Sequence, residues 1–126
     1  MPYHVSKARF AELVEQALAE LPAPFNEALE EVPVEIRDRP TPQQLRSLGL
    51  RSHDLLLGLY HGRPRTQRSV EDSHRLPDQI FIFQEHVEQA CGNERQLIEQ
   101  VRTTVLHELG HHFGMDEDDL DELGYG

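Results

Sequence analysis

The sequence reads as one domain, residues 1–126, that mixes helices with a few short strands. Two long helical periodicities lie toward its ends and three short strand-like runs lie between them, while 126 residues is the usual length of a chain that buries a single core.

Ser6 is placed to cap the first helix, in which Phe10, Leu13, Val14, Ala17, Leu18 and Leu21 recur at helical spacing until Pro22 stops the pattern. Phe25 to Glu31 has room for a helical turn or two. Val32, Val34 and Ile36 then alternate with Pro33 and Glu35, as in a half-buried strand, and Pro33 favours an edge position. Thr41, Pro42, Leu45, Leu48 and Gly49 read as a short helix with a cap, a first-turn proline and a terminating glycine. Leu55 to Tyr60 is a second strand. Residues 61–77 lack periodicity and contain Arg63, Arg65, Arg68 and Arg75, and loops of this length in small domains are often functional. Ile80 to Phe83 is a compact apolar strand, and Glu85 to Ala90 begins a helical turn that Gly92 ends. From Asn93 as cap, Leu97, Ile98, Val101, Val105, Leu109 and His112 or Phe113 keep a 3.6-residue rhythm as far as Gly114.

Composition narrows the function classes. With 23 acids against 12 bases the net charge is -11, a field that repels phosphate backbones and anionic lipid surfaces, so neither nucleic acid nor a membrane is expected as a partner. Cys91 is the one cysteine, so no internal disulfide can form. The start, MPYHVSKARF, has no apolar signal core, and the Leu55 to Tyr60 run is far too short to span a bilayer; a cytoplasmic location is expected.

The chemistry lies in His107-Glu108-Leu109-Gly110-His111, near the end of the second long helix. Positions four apart stand about one turn apart on the same helix face, so two imidazoles can grip one ion, and neutral imidazole suits zinc. Glu108 projects at a neighbouring angle, where it can act as general base toward a water whose pKa the metal lowers to around 7. An HExxH string also arises by chance on His-rich helices, and this chain has 8 histidines. Its place on a well-patterned helix, and the glycine three residues after His111, argue against chance.

The stretch HELGHHFGMDE, residues 107–117, resembles the extended HExxHxxGxxH/D motif of zincin-like metallopeptidases, in particular metzincins and their smaller bacterial relatives. The resemblance implies His107 and His111 as the first two metal ligands, Glu108 as the base, Gly114 at the turn and Glu117 as the third ligand. It also implies zinc as cofactor, a peptide or protein substrate, and an α+β fold with a small twisted sheet over the active-site helix. An edge strand that pairs with an extended peptide belongs to the same expectation, and Ile80 to Phe83 is the candidate for it. The sequence departs from the pattern in having Glu at the third position. It also has nine residues after Glu117 in place of a methionine-turn subdomain, a role Met115 does not fill. It reads as a minimal zincin.

Gly114 permits the chain to turn back after His111, and Asp116 is placed to cap a short final helix whose other acids, Asp118, Asp121 and Glu122, face solvent; any of these acids is an alternative third ligand. His112 points about 100° from His111 and is expected to pack rather than bind metal. His61 and His74 flank the 61–77 loop, and Tyr60 or Tyr125 is of a type that can hydrogen-bond an oxyanion, although no spacing singles them out. Cys91 reads as a small buried apolar residue. The function expected is zinc-dependent peptide hydrolysis. The alternative is a metal-binding or interaction module without hydrolytic activity, and Glu108 favours the former.

Overall fold

A computed structural model describes residues 3–62 and 78–124 of the chain. The 61–77 loop from Arg63 onward, with Arg65, Arg68, His74 and Arg75, lies outside the described residues, as does Tyr125. The elements run α1 (Lys7–Ala19), α2 (Phe25–Ala28), β1 (Val34–Arg37), α3 (Pro42–Ser47), β2 (Gly58–His61), β3 (Gln79–Phe83), α4 (Gln84–Gln89), α5 (Glu94–His112) and α6 (Glu117–Glu122). This is the α+β arrangement expected, with a small sheet against the long helix that carries His107.

Local chemistry accounts for the helix ends. The Ser6 side chain accepts a hydrogen bond from the Arg9 N–H at the start of α1, and Asn93 does the same for the Gln96 N–H at the start of α5. Thr41 and Gln44 form a reciprocal capping box at α3, with Pro42 in the first turn. Phe10, Leu13, Val14 and Ala17 bury one face of α1, and Leu97, Val101, Val105 and Leu109 form a buried stripe on α5 at four-residue intervals. α5 packs both on α1 and against β2 and β3, so the central helix is held along its length by the core.

The strand order is β1-β3-β2, with β1 parallel and β2 antiparallel to β3. Val34 pairs with Ile80, and Gly58 pairs with Ile82. This corrects the expectation that Ile80 to Phe83 forms an edge open to a peptide: it is the central strand, hydrogen-bonded on both sides. The cause is visible in its residues. Ile80, Ile82 and Phe83 are fully buried, Phe81 is half-buried, and no proline interrupts the ladder. The strand expected over Val32 to Ile36 begins two residues later. Val32 is wholly buried and Pro33 only lends its carbonyl to the Ile80 N–H. The Leu55 to Tyr60 strand likewise shortens to Gly58–His61, leaving Leu55 to Leu57 as irregular chain beside it.

Candidate metal centre

His107 and His111 sit on consecutive turns of α5 and bring their Nε2 atoms to 3.3 Å. Their rings meet edge to face, 4.9 Å between centroids. Both side chains are partly exposed, at 22% and 30%, as a site open to substrate requires.

After His112 the helix ends in a tight reversal. Gly114 has φ 82, the Gly114 N–H donates to the His111 carbonyl at 3.0 Å, and the Met115 N–H donates to the Gly110 carbonyl at 2.9 Å. This is the double hydrogen-bond pattern of a left-handed helix end, which a residue with a Cβ enters only at a cost. Asp116 then caps α6 by accepting from the Asp119 N–H, and the Asp119 carboxylate accepts from the Asp116 N–H in return. The first residue of α6 is Glu117. Its Oε1 lies 3.4 Å from His107 Nε2 and 3.3 Å from His111 Nε2.

Two carboxylates therefore stand near the imidazoles. His107, Glu108 and His111 can each present a ligand atom within 4.8 Å of the others. Yet Glu108 Oε2 is 4.0 Å from His107 Nε2, and Glu108 Oε1 accepts a hydrogen bond from the Tyr60 N–H at 2.9 Å. A tetrahedral zinc with ligand bonds of about 2.0–2.1 Å sets its donor atoms about 3.3 Å apart. The three distances among His107, His111 and Glu117 match that edge, and the Glu108 spacing is longer. The donor set, two imidazole nitrogens and a carboxylate oxygen, is one that zinc takes in open, three-ligand sites. By geometry and by donor chemistry these residues fit the ion.

Burial pushes the Glu108 carboxyl up to about 7, while His107 and the Tyr60 N–H pull it back down and the charge of Glu117 adds to the rise. A carboxyl poised near neutrality can both accept and return a proton.

The remaining residues of interest fall away from the imidazoles. His112 is completely buried, with Nδ1 3.0 Å from Asp78 Oδ2 and Nε2 3.5 Å from Glu31 Oε2. The Tyr60 hydroxyl donates to Asp78 Oδ2 at 2.6 Å and so turns inward, toward the buried Asp78 and His112. His61 is exposed at the end of β2 and borders a separate hollow with Thr41 and Gln44. Cys91 is buried, as expected, and burial raises its thiol pKa. Sequence reasoning missed the Tyr60 N–H, since a main-chain contact spanning 48 positions leaves no mark in residue type. It also missed the hollow of about 210 Å³ whose wall includes His107 and Glu108.

A search of curated proteins finds no match. Among solved structures the chain is similar to a conserved hypothetical protein, TTHA0227, from Thermo thermophilus, with 26% identity, a TM-score of 0.56, and 94% of this chain and 97% of that one covered. Residues 29–126 match the family described as zincin-like metallopeptidase. The match takes in both histidines, Glu108, the glycine turn and all three strands, and on that extent the chain belongs to the zincin-like metallopeptidase family.

Proposed function

We propose that the protein is a zinc-dependent peptidase in which His107, His111 and Glu117 hold the metal, Glu108 is the general base, and residues 1–126 work as one domain. The observation that carries this reading is the nearly equilateral set of donor distances, 3.3, 3.4 and 3.3 Å, with a second carboxylate set just outside it. Residues before position 29 are included because α1 packs directly on α5.

Bound zinc supplies a Lewis acid that polarises a substrate carbonyl and makes water more acidic. The chain supplies the proton handling. With Oε1 held by the Tyr60 N–H, Glu108 keeps Oε2 toward the histidines, where it can take a proton from the attacking water and deliver it to the leaving amine. Close placement of such a base matters because general acid–base catalysis contributes only when donor and acceptor are in hydrogen-bond reach.

A peptide is the substrate class favoured by the surroundings. Among the described residues β2 is an outer strand of the sheet and lies beside Glu108, so it takes the role expected of Ile80 to Phe83. The adjoining hollow has Leu55, Leu56 and Leu57 on one side and Thr104 on another. That lining favours an aliphatic side chain next to the cleaved bond. The test is Glu108→Gln: it is expected to keep one zinc per chain and to lose hydrolysis of a mixed peptide library. Equal hydrolysis by variant and parent would refute the mechanism, and a zinc-loaded parent inert across the library would leave a non-catalytic metal-binding module.

A further inference from the structure

α6 has little of its own to hold it in place. It is six residues long, Glu117–Glu122, whereas isolated helices shorter than roughly 12–15 residues are marginal in water. Five of the six are acids; Glu117, Asp118 and Asp119 suit the positive end of the helix dipole, but Asp121 and Glu122 stand at the end where they oppose it. The capping box of Asp116 and Asp119 is internal to this element. The one buried residue is Leu120, with no exposed surface at all.

The place Leu120 fills exists because position 110 lacks a side chain. A Cβ on Gly110 would overlap Leu120 Cδ2 and stand 3.2 Å from its Cγ. Gly110 belongs to the same turn of α5 as His107 and His111. Glu117 and Leu120 are three residues apart, hence on one face of α6. Seating Leu120 on α5 therefore turns Glu117 toward the imidazoles.

We infer that Leu120 is a positioning residue for the metal site: docked on the bare backbone of Gly110, it sets where α6 presents Glu117 to His107 and His111. This rests on the ligand set proposed above. It also gives a reason for glycine inside a helix, where alanine is the better helix former.

Zinc affinity, read by competition with a chromophoric chelator, separates this role from general packing. Gly110→Ala is the sharper variant, since it improves helix propensity while driving Leu120 off its seat. Gly110→Ala and Leu120→Ala are each expected to weaken zinc binding about 10- to 100-fold, the usual cost of losing a group that orients a ligand. In a Glu117→Ala background the same changes should alter affinity by less than about 2-fold, because no carboxylate ligand remains on α6 to misplace. Should Leu120→Ala fail to fold, Gly110→Ala in both backgrounds decides the matter. Wild-type affinity in folded Gly110→Ala overturns the inference, and so does an equal loss with Glu117 already absent. A wild-type chain without zinc affinity, or a Glu117→Ala variant that keeps it in full, overturns instead the ligand set on which the inference depends.

Discussion

The two halves of α5 are built on opposite plans. In the first, Leu97 and Val101 are completely buried, and at its start Arg9 grips Glu94 through two hydrogen bonds of 2.9 and 2.7 Å. In the second, His107, Glu108 and His111 are polar and only partly covered, and a second carboxylate, that of Glu117, arrives from a different helix across a glycine turn. The first half fixes the direction of the helix and hence the spacing of the two imidazoles. The second keeps Leu106 and Leu109 in the core on one face and is free to carry, on the other, groups that contribute nothing to it. Stability and metal chemistry should therefore come apart on substitution, although both reside in one element.

The largest effect expected is on the first half. Leu97→Ala should cost about 2–5 kcal/mol of unfolding free energy, because it leaves a void among residues that cannot fully close it. Urea denaturation of the zinc-free protein measures this, and the variant that stays folded should bind zinc as the parent does. A comparable loss of zinc affinity would show that the halves are not separable.

His111→Ala reverses the pattern. Zinc affinity should fall by more than the roughly 100-fold upper range for outer partners of a ligand, some 3 kcal/mol, while zinc-free stability changes by less than about 1 kcal/mol. Chelator competition and urea denaturation on the same sample check both arms. A large drop in zinc-free stability would place His111 in the core rather than the site.

Glu108 lies on the boundary, because it is the most buried of the three polar groups His107, Glu108 and His111. Its carboxyl titrates near 7 in the folded zinc-free chain against an ordinary 4.5, so the folded state holds the proton more tightly than the unfolded one. The resulting stability is fully present below about pH 4.5 and is lost as pH rises toward 7, by an amount on the order of 2–3 kcal/mol. The difference between parent and Glu108→Gln, followed by denaturation from pH 4.5 to 8, isolates this from the histidines. A difference that does not change across that window would mean the carboxyl is not held near neutrality.

The smallest effect belongs to the cap of α6. Asp116→Ala removes the acceptor for the Asp119 N–H and should weaken zinc binding by about 10-fold or less, since caps of this kind are worth about 1 kcal/mol. Chelator competition reads it, and a loss matching that of His111→Ala would assign Asp116 a ligand role instead.

What can be read from the sequence follows the same division. The dyad of His107 and His111 is legible because a helical periodicity running from Leu97 to Leu109 fixes their common face through local spacing alone. The turn is legible from Gly114 and the final helix from Asp116, both local signals. The strand order is not. Ile80 to Phe83 is a short apolar run, and such a run says that a strand is buried without saying which neighbours it has. Nor can residue types reveal that Gly110 and Leu120 touch, because the partner of a missing side chain is defined only once both helices are placed.

The hold on Glu108 has a consequence for how variation at position 60 will be tolerated. The donor is the main-chain N–H of Tyr60, which every amino acid except proline possesses. Side-chain replacement at this site can disturb the buried contact with Asp78 without directly removing the hydrogen bond to the base. The grip on Glu108 is thus written into the path of β2 rather than into its letters, and related chains could preserve it while sharing no residue there.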